Sequence, residues 1–516
     1  MENLLPIVQD NVGSVAAFLP ELVLGAAVMV VLVLDAALRK HPRRTGLLTA
    51  AALASLAVVA LLHGARPEGE KLLWAGLIAS DAFSRFFGWL FLGAGAMTVV
   101  LAGFGRDFPA PRIGQFHALL LTVVLGLFLM ASATDLLMIY LAIELVSVPS
   151  YVLAGFRRND RRASEAALKY VVFGGVASGV MLFGMSYLFG LTGTTAIGEI
   201  GPRLAVLQTQ LGLPQAAVRF TLVVSIVFVL AGVGYKISAV PWHMWCPDVY
   251  EGAPSPFTAF LSVGPKAAGF ALALRLFHVA FSMPLGAPLA DALVGVPWPA
   301  VIGVVAAVTM TLGNLAALSQ TNLKRLLAYS SIAQAGYTLM GLAAASERGT
   351  QAVMIQLVMY LVMNLGAFMV VIRVADATGS ESIQDYRGLA KRQPLAAITF
   401  AVFLFSLTGL PPLAGFAGKW WLFYAVFERV GGPGGAGYAL LALCGAINTA
   451  ISLYYYARIV KAMFLDELPE GEVKPLPRAW LDQLMLGGLA TGVLVLGLWW
   501  QPVIDWTGAA VRMFRG

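Results

Sequence analysis

Charge is what this sequence has least of. Of 516 residues only 12% are Asp, Glu, Lys or Arg, against about 25% in an ordinary soluble domain. That shortage excludes a water-soluble enzyme of the usual kind. Cysteine and histidine are sparse as well, at two and five residues. Cys246 and Cys444 are too few to hold an iron–sulfur cluster, and the histidines show neither metal-ligand spacing nor paired haem ligands. No cofactor and no metal is therefore expected on this chain. The stretch Met1 to Ser14 contains Glu2 and Asp10 but no Lys or Arg. It lacks the basic region of a secretory signal and the arginines of a transit peptide, so the first span is expected to be retained.

What the chain has in excess is apolar residues, 59% of the total. Crossing about 30 Å of hydrocarbon takes about 20 of them in a helix. Apolar stretches fall at 18–38, 45–63, 82–104, 114–133, 135–155, 166–190, 219–241, 256–281, 297–318, 325–345, 350–375, 394–427, 436–464 and 481–500. They predict an all-α polytopic membrane protein of about fourteen transmembrane helices, one domain over residues 1–516. Barrel strands are excluded, because those would be about ten residues long and alternate in polarity. The net charge of +7 does not point to nucleic acid, since a basic groove cannot be built on a mostly apolar surface. The expected surroundings are a lipid bilayer.

Position gives the positive charge its meaning. Twenty Lys and Arg residues, including Arg39, Arg106, Arg157, Arg161, Lys324, Arg325, Lys391, Lys474 and Arg478, fall in one alternate set of loops. Eight, including Arg66, Arg348 and Arg515, fall in the other. Basic residues of short loops stay cytoplasmic, so an even number of spans places both termini on the outer, periplasmic face.

Six cations fit no loop: Arg85, Lys169, Lys236, Lys266, Arg275 and Lys419. A charge at a helix centre costs about 2.5–3.5 kcal/mol on insertion scales, so such groups face a bundle interior or mark an ion path. Arg85 and Arg275 lie near enough to predicted helix ends to snorkel, and Lys169 is about a turn inside its helix. Lys236 stands shortly before Pro241, and Lys419 shortly after Pro411 and Pro412. A proline removes a backbone donor and frees a carbonyl, so both helices are expected to break there. Two broken helices in corresponding halves point to a transport site at mid-membrane. The plainer alternative is a proline kink hydrated by a lysine. Lys266 lies about ten residues into its helix, as does Glu144, an isolated acid whose expected partner is Lys236. Glu21 and Asp35, near the ends of the first span, and Asp135, in the tight turn 131–135, are expected to cap helices or line interfaces. Lys169, His243 and His278 are accessory candidates, although a lone histidine more often packs than relays protons.

Several runs together resemble a known family. They are Glu144-Leu145-Val146-Ser147-Val148-Pro149-Ser150-Tyr151, Glu165-Ala166-Ala167-Leu168-Lys169-Tyr170, Gly190-Leu191-Thr192-Gly193-Thr194, the Lys236 segment continuing through Pro247-Asp248-Val249-Tyr250-Glu251-Gly252-Ala253-Pro254, and Leu410-Pro411-Pro412-Leu413-Ala414-Gly415-Phe416. The chain resembles, over nearly its whole length, the subunit N family of the bacterial proton-pumping NADH-quinone oxidoreductase, respiratory complex I, and is similar to mitochondrial subunit 2.

The resemblance implies an antiporter-like fold. It has three N-terminal helices (18–104), two inverted five-helix repeats (helices 4–8, 114–281; helices 9–13, 297–464) and a last helix (481–500), with helices 7 and 12 broken. Glu144 matches the family's fifth-helix glutamate, and Lys236, Lys266 and Lys419 its lysines of helices seven, eight and twelve. No long amphipathic extension follows Trp500, unlike the largest antiporter-like subunit. The implied function is that of a proton-translocating membrane-arm subunit in the bacterial inner membrane. FMN, iron–sulfur clusters and quinone would belong to partner subunits of the hetero-oligomer. The competing readings are a cation/proton antiporter subunit, a membrane-bound hydrogenase module, and a scaffold that does not pump.

Overall fold

A computed structural model describes residues 5–67, 69–104, 112–210, 215–281, 297–467 and 480–512. Arg106, Lys474, Arg478 and Arg515 of the charge count lie outside the described residues. The chain opens with α1 (Leu5–Ala17), α2 (Leu19–Ala37) and α3 (Arg44–Gly64). A small antiparallel hairpin, β1 (Lys71–Leu73) and β2 (Ile78–Ser80), leads into α4 (Ala82–Phe104), α5 (Ile113–Ser132), α6 (Leu136–Ala154) and α7 (Arg161–Thr192). There follow α8 (Ile197–Gln210), α9 (Gln215–Ile237), α10 (Trp245–Gly252), α11 (Ser255–Ala280), α12 (Trp298–Leu318), α13 (Leu323–Ala343) and α14 (Glu347–Thr378). The last elements are α15 (Leu389–Arg392), α16 (Pro394–Thr408), α17 (Ala414–Phe427), α18 (Gly435–Phe464), α19 (Trp480–Leu498) and α20 (Gln501–Val511).

Among the described residues twelve helices are long and apolar enough to cross a membrane: α2 to α7, α9, α11, α12, α14, α18 and α19. The two remaining predicted stretches are also helical. The stretch 325–345 is α13, and 394–427 divides into α16 and α17. Elements that the apolar pattern does not announce are short or amphipathic, namely α1, the hairpin, α8, α10, α15 and α20.

Helix ends follow local chemistry. The turn after α5 separates two helices as expected, with Asp135 accepting from the backbone N–H groups of Leu137 (2.8 Å) and Met138 (3.4 Å) to cap α6. Glu21 pairs with Arg66, and Asp35 with Arg44 at 2.6 Å, both at helix ends. The break after Lys236 begins earlier than Pro241. Helix α9 stops at Ile237, and residues 238–244 run outside any helix before α10. The residue before a proline is driven out of helical geometry, and Ser238, at φ +61°, turns the chain. Ala239 N–H closes on Gly234 O (2.7 Å), while the Trp245 indole donates to Tyr235 O (3.0 Å).

Arg275 does not snorkel. It is buried on α11, paired with Asp81 at 2.9 Å and donating to Ala131 O at 3.0 Å. Its acceptor comes from the segment ahead of α4, which sequence proximity could not announce. Helix α11 is buried along its whole length between α4, α5, α9 and α14. Only such a position shields ionisable residues on every side from lipid.

Candidate functional site

Lys236, Lys266 and Lys419 are 1%, 3% and 4% exposed. Each ammonium is held by a neutral oxygen. Lys236, next to last in α9, donates to Ser147 Oγ at 2.8 Å. Ser147 lies one turn beyond Glu144 on α6, so the two share a helix face. Glu144 acts on Lys236 through space, with no ion pair between them within 4.0 Å, and its Oε1 is buried without a hydrogen-bond partner. The direct contact to the Lys236 ammonium thus comes from Ser147, and Glu144 is coupled to it across space. A further turn along α6, the Tyr151 hydroxyl meets that of Tyr235 over Gly174, where a Cβ would stand 2.0 Å and 2.7 Å from the two oxygens. Tyr235 donates onward to Tyr170 O at 3.0 Å.

Lys266 donates to Ser331 Oγ of α13 at 2.6 Å and lies 5.7 Å from the centroid of the Tyr250 ring. The Tyr360 hydroxyl of α14 donates to the same Ser331 oxygen at 2.8 Å, and Tyr250 OH approaches it at 3.4 Å. One turn before Lys266, Ser262 Oγ accepts from Asn364 Nδ2 at 2.6 Å. Lys419, on α17, donates to Thr408 O at 2.8 Å, reaches Thr449 Oγ1 at 3.5 Å, and sits 4.1 Å from the centroid of the Tyr337 ring.

The second helix break builds the link between these last two lysines. When α16 stops at Thr408, its final carbonyls lose their helical donors. Gly409, at φ +94°, closes its N–H on Phe405 O and Ser406 O, leaving Leu407 O and Thr408 O for side chains. Thr408 O takes Lys419, and Leu407 O takes Gln334 Nε2 at 2.8 Å. Gln334 Oε1 accepts in turn from Gln356 Nε2 at 3.2 Å. Gln334 lies one turn from Ser331 on α13, and Gln356 one turn from Tyr360 on α14. A polar line therefore runs from the partners of Lys266 to those of Lys419. Beyond Lys419, Tyr337, Asn314, Asn448 and Thr311 extend it between α12, α13 and α18.

Ser147, Ser331, Gln334, Gln356 and Tyr360 escape a reading that looks only for charge. Their signal is nonetheless present: neutral polar residues inside apolar stretches must find partners, because lipid offers none.

The accessory candidates lie elsewhere. Lys169 is half-exposed at the end of the bundle rich in arginine, paired with Glu165 and Asp248, both at 2.6 Å. Arg325 also pairs with Asp248 (2.6 Å) and with Glu251 (3.0 Å), while Lys324 pairs with Glu381 (2.9 Å) and donates to Ala253 O (2.8 Å). The run from Pro247 to Pro254 is thus clamped from both halves of the chain. Partial burial opposes ionisation of Asp248, but Lys169 and Arg325 outweigh it and hold the carboxyl below its usual range. His243 lies in the 238–244 break with Nδ1 unpartnered, and His278 bonds Thr350 Oγ1 through Nε2 at 3.1 Å. Among the described residues no group of three or more His, Cys, Asp or Glu is placed to hold a metal ion.

Residues 133–432, which carry α6 to α17 and all three lysines, match the family described as NADH:quinone oxidoreductase/Mrp antiporter, transmembrane. Across its whole length the chain is 63% identical to NADH-quinone oxidoreductase subunit N of Anaeromyxobacter sp. (strain Fw109-5), with all of both chains covered. The chain belongs to the subunit N family. It is also 47% identical to subunit N 2 of Sorangium cellulosum (strain So ce56), over 99% of this chain and 100% of that one. Among solved structures it is similar to a chain of respiratory complex I from Thermus thermophilus, at 29% identity and a TM-score of 0.77, covering 95% of this chain and 100% of that one. A chain of the Mrp complex from Dietzia sp. DQ12-45-1b shares the fold at 21% identity and a TM-score of 0.76, over 96% and 97% of the two chains.

Proposed function

We propose that this chain moves protons across the bacterial inner membrane as a membrane-arm subunit of NADH-quinone oxidoreductase, in a hetero-oligomer whose other subunits carry FMN, the iron–sulfur clusters and quinone. Fourteen crossings, with α13 and the α16–α17 pair completing the twelve long apolar spans, and two inverted repeats form the frame of this reading. Both termini lie on the outer face.

The observation that carries the proposal is that Lys236, Lys266 and Lys419 rest on neutral oxygens, Ser147 Oγ, Ser331 Oγ and Thr408 O, whereas Lys324, buried as well, is paired with the Glu381 carboxylate. A fixed ion pair such as Arg275 with Asp81 holds its charge and cannot carry a proton through. Moving one charge against the membrane field costs about 2.3 kcal/mol per 100 mV, so a carrier must gain and lose its proton at modest cost. A desolvated ammonium on a neutral acceptor meets that requirement. In the proposed relay Lys236, biased by Glu144, passes its proton toward Lys266. The proton then reaches Lys419 along Ser331, Tyr360, Gln356, Gln334 and the carbonyls of the α16 break, and leaves toward the outer face. Buried acceptors beside this line, Glu144 Oε1, Gln356 Oε1 and Asn364 Oδ1, have no protein donor, which favours water as the connecting medium. The chain performs no redox chemistry of its own; quinone reduction in neighbouring subunits drives it.

The test is the number of protons pumped per electron by the assembled complex carrying Lys236→Ala, Glu144→Ala or Lys419→Ala. Lowered pumping in an intact complex supports the relay. Unchanged pumping in all three overturns it, and failure of all three to assemble favours a scaffold.

A further inference from the structure

Away from the lysine line, a groove of about 550 Å³ opens between the starts of α12 and α18. Its walls are apolar or bare of side chain: Pro299, Gly303 and Val304 from α12, and Gly437, Leu440 and Leu441 from α18. Val304 and Leu440 remain 65% and 66% exposed, and a Cβ added at Gly437 would meet nothing within 4 Å. The groove thus faces out of the bundle, where the surrounding medium is hydrocarbon.

One charged side chain borders it. Arg429 stands in the connection between Phe427, the end of α17, and Gly435, the start of α18, where the chain leaves the apolar layer. Its guanidinium lies over the Tyr438 ring, 5.7 Å from the centroid. Among the described residues no carboxylate stands within 4.0 Å of it, and the adjacent acid, Glu428, is already paired with Arg348. A guanidinium stacked on a ring face still presents its N–H donors around the rim. Those donors match the paired oxygens of a phosphate.

We infer that this groove binds an anionic phospholipid, with one acyl chain lying between α12 and α18 and the phosphate on Arg429. Charge complementarity selects the headgroup, because the site offers a cation and no carboxylate to balance the cationic amine of a zwitterionic lipid. A basic residue near an anionic lipid contributes about 1 kcal/mol, which corresponds to about a fivefold preference.

The experiment uses the intact complex in phosphatidylcholine liposomes doped with either phosphatidylglycerol or phosphatidylcholine bearing a photoreactive acyl chain. Labelling is then mapped on the peptides spanning Trp298–Leu318 and Gly435–Phe464. The expected result is about fivefold more labelling of these peptides by phosphatidylglycerol. Arg429→Gln should abolish the preference, Arg429→Lys should keep most of it, and Gly437→Leu, which fills the groove, should lower labelling by both lipids. Equal labelling by the two lipids in the unaltered complex overturns the inference. So does a preference that survives Arg429→Gln, or peptides that neither lipid labels because a neighbouring subunit covers them. Should Arg429→Gln fail to assemble, the unaltered complex and the Arg429→Lys and Gly437→Leu variants decide the matter on the same readout.

Discussion

Replacing Gln334 by leucine cuts the polar line between Lys266 and Lys419 without removing any ionisable group. The side chain is buried and close to leucine in size, so the packing cost is small. Two hydrogen bonds disappear, the 2.8 Å bond to Leu407 O and the 3.2 Å bond from Gln356 Nε2. Interhelical bonds in membranes average about 0.6 kcal/mol and reach about 1.7, so the pair is worth about 1–3 kcal/mol and α13 stays in place. The effect on proton transfer is larger in consequence. Each 1.4 kcal/mol added to a barrier slows a step about tenfold, and the leucine leaves no polar atom to pass the proton on. Proton-coupled NADH:quinone turnover in inverted membrane vesicles, normalised to the amount of assembled complex, is expected to fall at least about tenfold, and Gln356→Leu should behave in the same way. Wild-type turnover with wild-type protons per electron in an assembled Gln334→Leu complex would refute the link and send the route elsewhere.

Other expectations rest on particular contacts. Ser147→Ala takes from the Lys236 ammonium an acceptor at 2.8 Å. A charged hydrogen bond is worth about 1.5–3 kcal/mol, so turnover should drop by about one to two orders of magnitude with assembly preserved, as measured on the same vesicles. Arg275→Gln strands Asp81 as a buried charge, at a cost of about 3–5 kcal/mol. Immunoblots of the assembled complex should show a severe loss, largely restored by adding Asp81→Asn. The depressed Asp248 carboxyl adds stability that is complete above the ordinary aspartate value of about 3.9 and is lost as pH falls through its folded value. The difference in thermal stability between the parent complex and Asp248→Asn should therefore shrink as the medium is acidified below about pH 4, and a difference that persists unchanged would rule out the clamp as its source.

Much of the membrane architecture was legible in the sequence because the signal is local. An apolar run of about 20 residues needs no distant partner to be recognised, and α2 to α7, α12, α14 and α18 begin and end within a few residues of the predicted stretches. Asp135 was readable as a cap for the same reason. The break near Lys236 was readable in kind but misplaced by a turn, because Pro241 acts on the residues ahead of it and Ser238 supplies the turn. The burial of Arg275 is not legible in the sequence, because snorkelling is judged from distance to a helix end, whereas Asp81 reaches it from 194 residues away.

By itself the sequence determined that the chain lives in lipid, which of its cations no loop could claim, and that the apolar stretches carrying Lys236 and Lys419 break close to prolines. Those conclusions follow from composition and spacing along one chain. Only the tertiary structure decided what each lysine touches: Ser147 rather than Glu144 for Lys236, Ser331 for Lys266, and a carbonyl released by the α16 break for Lys419. It also decided that Gln334 and Gln356 join the last two. The partners of Lys236 and Lys266 lie 89 and 65 residues from them. A hydrogen bond has a reach of about 3 Å, so pairs that far apart in the chain are fixed by how the helices pack and not by any local pattern.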